Sequence, residues 1–127
     1  LKVEDAFSTY SGSNNWLNIF IGTGNPELKT WESYEYVIGR KVENGKASVD
    51  KFDNGFNATN CGNARIVQSN NIIQLAIPRA ALGLSSKDRF YFKVAMGVTN
   101  SSDIMNSYKS GSVMPMGRLS YSYIMDK

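Results

Sequence analysis

Two carboxylates that lie close together in the sequence, Glu32 and Glu35, are the nearest approach in this chain to a catalytic pair. A glycosidase uses two carboxyl groups, one as an acid and the other as a base or nucleophile. Side chains three residues apart in an extended segment point to opposite faces, because side-chain direction alternates along a strand. We therefore expect both carboxylates to be solvated rather than catalytic.

The chain has no histidine and a single cysteine, Cys61. The lack of histidine removes the usual general base, the Ser-His-Asp triad and the commonest transition-metal ligand. One cysteine excludes an internal disulfide. These absences predict that the domain is not an enzyme, and they disfavour a β-sandwich glycosidase or lyase.

A cofactor is not expected, although a structural calcium ion is compatible with the composition. Four dispersed aspartates could offer carboxylate oxygens, the ligands that calcium prefers. None of them has an EF-hand spacing, so the signal is unspecific. These residues are Asp5, Asp50, Asp53 and Asp103.

Length and charge indicate one domain without a nucleic-acid footprint. The 127 residues suffice for a single core, and we predict one domain over 1–127, with residues 1–15 as a loop or loose lead-in. The formal net charge is +3, with lysines and arginines scattered rather than clustered. The longest apolar run is too short to cross a membrane.

Alternating apolar residues predict about seven strands with no long helix between them. Two hairpins are marked by turn residues, one by Asn44-Gly45 and the other by the segment 69–71. Residues 53–61 are predicted as a loop, and residues 79–84 as a helical turn. This pattern is typical of an antiparallel β-sandwich or jelly roll. The clearest strands are 16–22, 34–40, 47–52, 64–68, 72–77, 90–98 and 119–125.

Aromatic and charged residues on these strands are candidates for ligand contact. An exposed Trp31 could stack on a sugar ring, and a place in the core is an equally good interpretation. Trp16, which lies within a strand, is better explained as core. Tyr34 and Tyr36 are expected on one strand face about 7 Å apart, where they could face a ligand or an aromatic inner surface. Lys93 interrupts an apolar strand and would point into a polar groove or into solvent.

Five short motifs follow one another from Trp16 to the end of the chain. They are WLNIFIGTGN, TWESYEYVIGR, NIIQLAIPRAALGL, FYFKVAMGVTNSSDIMNSY and SGSVMPMGRLSYSYI. Their order resembles that of carbohydrate-binding domains similar to family 9 carbohydrate-binding modules, within the DOMON-like group. The resemblance implies an antiparallel β-sandwich of jelly-roll type, in which the N-terminal strands of such domains are missing or reduced to residues 1–15.

The resemblance also implies a function. Such domains are non-catalytic modules of secreted or cell-surface bacterial proteins, which they attach to a polysaccharide or oligosaccharide. The expected partners are therefore a glycan and the rest of a larger parent protein, with no nucleic acid and no membrane insertion. The ligand-binding residues that the resemblance implies are Asn18, Trp31, Tyr34, Tyr36, Lys93, Tyr108 and Arg118.

Departures from the family pattern support an alternative. Val94 stands where such domains have tryptophan, and Met96 stands where they have aspartate. Further acidic positions are occupied by Gly22, Asn106 and Ser112. These differences favour a structural or protein-interaction β-sandwich that has lost the sugar site.

Overall fold

Eight antiparallel strands form one curled sheet in the described part of this protein. The structure, a computed structural model, describes residues 16–25, 27–84, 89–115 and 120–124. The strand order is β5-β4-β3-β2-β1-β6-β7, and β8 also pairs with β6. The strands are β1 (Trp16–Gly22), β2 (Tyr36–Glu43), β3 (Lys46–Asn54), β4 (Asn57–Ser69), β5 (Ile72–Ala76), β6 (Arg89–Val98), β7 (Ser112–Met114) and β8 (Tyr121–Ile124).

Helical structure is confined to three short turns among the residues that the structure describes. Two are 3-10 turns, Trp31–Ser33 and Arg79–Leu82, and the third is the α-helical turn α1 (Asn106–Lys109). Within the same ranges, no helix is long and apolar enough to cross a membrane. The all-β prediction is therefore confirmed, while the predicted lead-in, residues 1–15, lies outside the described residues.

The predicted turns have the backbone geometry that their residue types favour. Asn44 and Gly45 have φ values of 51° and 69°, as a two-residue hairpin turn requires. Asn70 has φ 48° in the turn between β4 and β5. Gly83 ends the turn after Pro78 in the left-handed conformation. The sequence signal for these turns is local, which explains why it succeeds.

The predicted loop over residues 53–61 is wrong. Strand β3 continues to Asn54 and β4 begins at Asn57, so only a tight connection separates them. Across the pair, Phe52 lies opposite Ala58. The Asn- and Gly-rich composition favours a loop, but cross-strand pairing with β3 outweighs this preference. The register of β3 against β4 shifts at two places, between Val49 and Asp50 and between Phe52 and Asn54.

Both faces of the sheet carry a hydrophobic cluster, because side chains alternate along each strand. The first face holds Ile19 and Val49 among thirteen buried residues. The second face holds Phe20 and Val37 with an aromatic group around them. Strand β1 is buried along its whole length, as its apolar residues on both sides predict. Trp16 joins the first-face cluster beside Leu17, and the register of β1 against β6 shifts between Trp16 and Asn18.

Two non-strand segments cover the second face. Residues 27–35 bring Trp31 and Tyr34 onto Phe20, and residues 99–111 bring Ile104 to the same cluster. The cover does not reach the end of β2, the beginning of β3 and the part of β4 paired with it. The second face is polar there. This uncovered part carries a large open groove.

Replacing Gly39 with alanine is expected to destabilise the fold by about 3 kcal/mol. Gly39 has φ 94°, and a Cβ there would lie 2.8 Å from the Leu17 carbonyl oxygen of the neighbouring strand. Gly55→Ala is the matched control, since Gly55 has φ 56° and an added Cβ would meet no described atom within 4 Å. It should cost only about 1 kcal/mol. Urea unfolding of both variants checks this, and equal costs would contradict the proposed clash.

Candidate functional site

Trp31 lies in the core rather than on the surface. Its side chain is 4% exposed, and its ring centroid is 4.1 Å from that of Phe20 and 5.8 Å from that of Tyr34. Stacking on a sugar requires an open ring face. The core interpretation is therefore the one that the structure shows, and Trp31 does not offer a stacking surface in this conformation.

Tyr34 and Tyr36 do not share a face. Tyr36 belongs to the first-face cluster, whereas Tyr34 belongs to the second-face cluster. The expectation fails because β2 begins only at Tyr36, and Tyr34 closes the preceding 3-10 turn. Both rings are buried, at 4% and 8% exposure. Burial, with a smaller contribution from Glu32, raises the pKa of Tyr34, whose hydroxyl shares a hydrogen bond with that of Ser120.

Asn18 is fully buried and fastens the covering segment 99–111 to β1. Its side-chain nitrogen donates to the Ser101 carbonyl at 3.1 Å, and its oxygen accepts from the Ser107 hydroxyl at 3.4 Å. Buried polar groups are costly unless they are hydrogen-bonded in this way. Asn18 therefore has a structural role, because both the nitrogen and the oxygen of its side-chain amide are hydrogen-bonded within the protein.

Lys93 forms a buried ion pair with Glu32. Its Nζ lies 2.9 Å from Glu32 Oε2, and the two side chains are 1% and 19% exposed. Glu32 and Ser33 have φ values of 48° and 60°, in the left-handed region that side chains seldom adopt. The expected solvation of Glu32 is therefore wrong, and so is a solvent-facing Lys93. Glu35, in contrast, accepts a hydrogen bond from the Thr23 amide at an exposed position.

For two of the predicted ligand-binding residues, the structure describes no side chain. Arg118 lies outside the described residues, and so does the side chain of Tyr108, whose backbone belongs to α1. The other five are buried in the two clusters or next to them. Their role in ligand binding stays a prediction. Because they are buried, they cannot stack directly on a ligand or form surface hydrogen bonds with it in this conformation.

An open groove of about 590 Å³ lies on the uncovered part of the second face. We call it the polar groove. Register brings its residues together, since Ser48 lies opposite Asn63 and Asp50 lies opposite Asn60. Of the residues that the structure describes, no aromatic one lines it. The members with polar or charged side chains include Arg40, Lys46, Ser48, Asp50, Asn60 and Asn63.

A hydrogen-bond network holds the floor of the polar groove in place. Asn60 donates to Asp50 Oδ1 at 3.0 Å, and the Ser48 hydroxyl donates to Asp50 Oδ2 at 3.3 Å. Arg40 lies 3.6 Å from the same carboxylate and donates two hydrogen bonds to the Ser102 carbonyl, at 3.0 and 3.1 Å. These contacts connect the floor of the groove to the cover of the second face. Fixed polar groups of this kind can orient a ligand rich in hydroxyls.

Sequence reasoning missed the polar groove, although part of its signal is visible. Lys46, Ser48 and Asp50 alternate with the apolar residues Ala47 and Val49, which predicts a strand with one polar face. The opposite wall comes from β4, whose first residues read as a loop. Without the pairing of β3 with β4, the two polar rows could not be placed side by side.

The described residues contain no group of three or more cysteine, aspartate or glutamate side chains that could hold a metal ion. Asp5 lies outside these residues, so the calcium expectation stays open to experiment.

Partial burial and the nearby Asp50 charge raise the pKa of Cys61, although the residue as a whole is exposed. A raised pKa lowers the fraction of thiolate, the nucleophilic form of cysteine.

Comparisons with known proteins yield no match to this chain among family models, curated proteins or solved structures. The resemblance to family 9 carbohydrate-binding modules stays a prediction that rests on the order of the five motifs. The geometry of the chain itself is therefore the basis on which a function can be assigned.

Replacing Glu32 with glutamine should destabilise the protein by about 2 kcal/mol, because the buried Lys93 ammonium then loses the Glu32 carboxylate. The double variant Glu32→Gln with Lys93→Met should recover most of this loss, since neither member of the pair is then charged. Glu35→Gln serves as the control and should cost less than about 1 kcal/mol. Chemical unfolding measures all three, and equal costs for the two single variants would contradict a stabilising role of the pair.

Proposed function

We propose that this chain is a non-catalytic carbohydrate-binding module, and that the polar groove is the surface that contacts the sugar. The single observation that carries the proposal is the set of amide, hydroxyl and charged side chains held together on one open, concave part of the sheet. Sugars present many hydroxyls, which such donors and acceptors can bind. Asn63 is exposed in this groove, on the wall that also carries Asn60.

The binding mode differs from the one expected from the aromatic residues. Trp31 and Tyr34 stabilise the cover of the second face, and hydrogen bonds from the polar groove take over the contact with the ligand. Each neutral hydrogen bond adds only about 1 kcal/mol in water, so a single site of this kind binds weakly. Weak binding is still useful in a module, because a linked enzyme gains a high effective concentration on its polymer.

The wider setting of the proposal follows from the motif resemblance. We infer a β-sandwich of jelly-roll type, of which the curled sheet is the described part, in a secreted or cell-surface bacterial protein. The module would bind a polysaccharide or oligosaccharide and so direct a linked enzyme or protein to it. Nucleic acid is not expected as a ligand.

A protein-interaction domain is the second candidate, and one observation favours it. Phe90, Phe92, Tyr121 and Tyr123 form a row of aromatic rings on β6 and β8, with centroids 5.3 Å apart for Phe92 and Tyr121. Tyr121 and Tyr123 are 48% and 53% exposed. Aromatic side chains are enriched in the contact surfaces of proteins. A glycan-binding experiment separates this candidate from the first.

Titration calorimetry of the chain with a panel of soluble oligosaccharides should give saturable binding to at least one of them. Calorimetry suits this protein, because both tryptophans are buried and would respond weakly to a ligand in the groove. Asn63→Ala should weaken binding about fivefold, the effect of one neutral hydrogen bond. Asn57→Ala is the matched control, since Asn57 is exposed on the same strand outside the groove.

The outcome decides between the two candidates. Binding that weakens in the Asn63 variant and not in the Asn57 variant supports the polar groove as the sugar site. Binding that is equal in both variants would place the sugar elsewhere on the molecule. The absence of heat with every glycan would remove the carbohydrate proposal and leave the protein-interaction domain.

A further inference from the structure

The polar groove continues into a second cavity whose charge is not balanced. Lys46 and Asn63 line both the groove and an adjoining cavity of about 440 Å³, which also contains Arg65. Lys46 and Arg65 are register partners on β3 and β4, so their side chains emerge next to each other on the same face. Like charges in directly opposite positions repel each other and destabilise a sheet. The two cations therefore make an unfavourable pair in the absence of an anion.

Neighbouring charges relieve this repulsion only in part. Among the ion pairs of the described residues, Arg40 contacts Asp50 and Lys41 contacts Glu43 at 3.2 Å, while Lys46 and Arg65 take part in none. Glu43 lies opposite Lys46 on β2, but its carboxylate is directed to Lys41. Across the groove and its extension, four cations face two carboxylates, which leaves an excess of two positive charges within the described lining. The four cations are Arg40, Lys41, Lys46 and Arg65.

We propose that the groove selects an acidic glycan, whose carboxylate or sulfate group binds between Lys46 and Arg65. This inference rests on the proposed carbohydrate-binding function and names its class of ligand. The guanidinium of Arg65 offers two parallel donors to an oxyanion, and the Lys46 ammonium adds a compact charge. Asn63, shared by both cavities, lies between this anion site and the polar floor. A sugar ring that carries the anion can thus place its neighbours along Ser48 and Asn60.

A glycan fits this surface better than a nucleic acid does. Proteins that bind single strands combine basic grooves with aromatic side chains on which the bases stack. The described residues that line the two cavities are polar, charged or small, and none of them is aromatic. The excess charge of two is also small for a phosphate backbone, where each contact needs a cation.

The test is titration calorimetry of the 127-residue chain with four probes of similar length. They are an oligogalacturonate, a sulfated oligosaccharide, a neutral oligosaccharide and a single-stranded oligonucleotide. The acidic glycans should bind at least about tenfold more tightly than the neutral one at low salt, and this advantage should shrink at high salt. The sulfated and carboxylated probes identify which anion the site prefers.

Substitutions locate the anion site. Lys46→Gln and Arg65→Gln should each lower affinity for the acidic glycan about tenfold, the value of one charged hydrogen bond, and leave the neutral glycan nearly unaffected. Lys51→Gln is the control, because Lys51 is exposed on β3, carries the same charge and does not line either cavity. All three positions are on the surface, so the variants should unfold at similar urea concentrations.

The possible results are distinguishable. Neutral and acidic glycans of equal affinity, or an equal effect of Lys51→Gln and Arg65→Gln, overturn the acidic-ligand inference and leave the carbohydrate proposal standing. Tighter binding of the oligonucleotide than of the acidic glycans overturns it in favour of nucleic acid. A lack of binding to every glycan removes the carbohydrate proposal itself.

Discussion

The central strands of this sheet are buried on both sides, and the second side is covered by loops that need polar anchors. Apolar cover alone would not fix two irregular segments, because their backbone polar groups also need partners. Three contacts supply the anchoring: Asn18 holds Ser101, Lys93 holds Glu32, and Arg40 holds Ser102 at an exposed position. The position of the cover follows from these anchors, and so does the place where it ends.

The polar groove begins where this cover stops. Arg40 belongs to both regions, since its guanidinium bonds the Ser102 carbonyl in the cover and faces Asp50 in the groove floor. A side chain with five donors can serve both sides at once. The ligand surface that we propose is therefore built on the same contacts that close the aromatic cluster. Arg40 thus links the cover to the groove.

Much of the fold could be predicted from local sequence patterns. The alternation over β1 and β6, the Asn44-Gly45 turn and the Gly83 cap each depend on residues that are neighbours in the chain. The strand content of residues 57–61 could not be predicted, since it results from pairing with β3. In the same way, Tyr34 and Tyr36 have the spacing of one strand face, but the turn before β2 separates them.

The candidate site was harder to predict than the fold. The aromatic and polar residues that stand out in the sequence, such as Trp31 and Lys93, are buried in the interior. Ordinary surface residues on two strands, among them Asn60 and Asn63, form the groove because of their register. A residue's type indicates what it can bind, whereas its burial and its cross-strand neighbours decide whether it is available. Neither is visible before the strands are paired.

The anchors also carry a consequence for the order of folding. Asn18 and Ser101 are 83 residues apart in sequence, and Lys93 and Glu32 are 61 apart. Contacts between distant residues require closure of long chain segments, and they slow the folding of small domains. The second-face cluster therefore lacks Ile104 until the last third of the chain arrives. During synthesis or refolding, the apolar surface left open in this way favours aggregation.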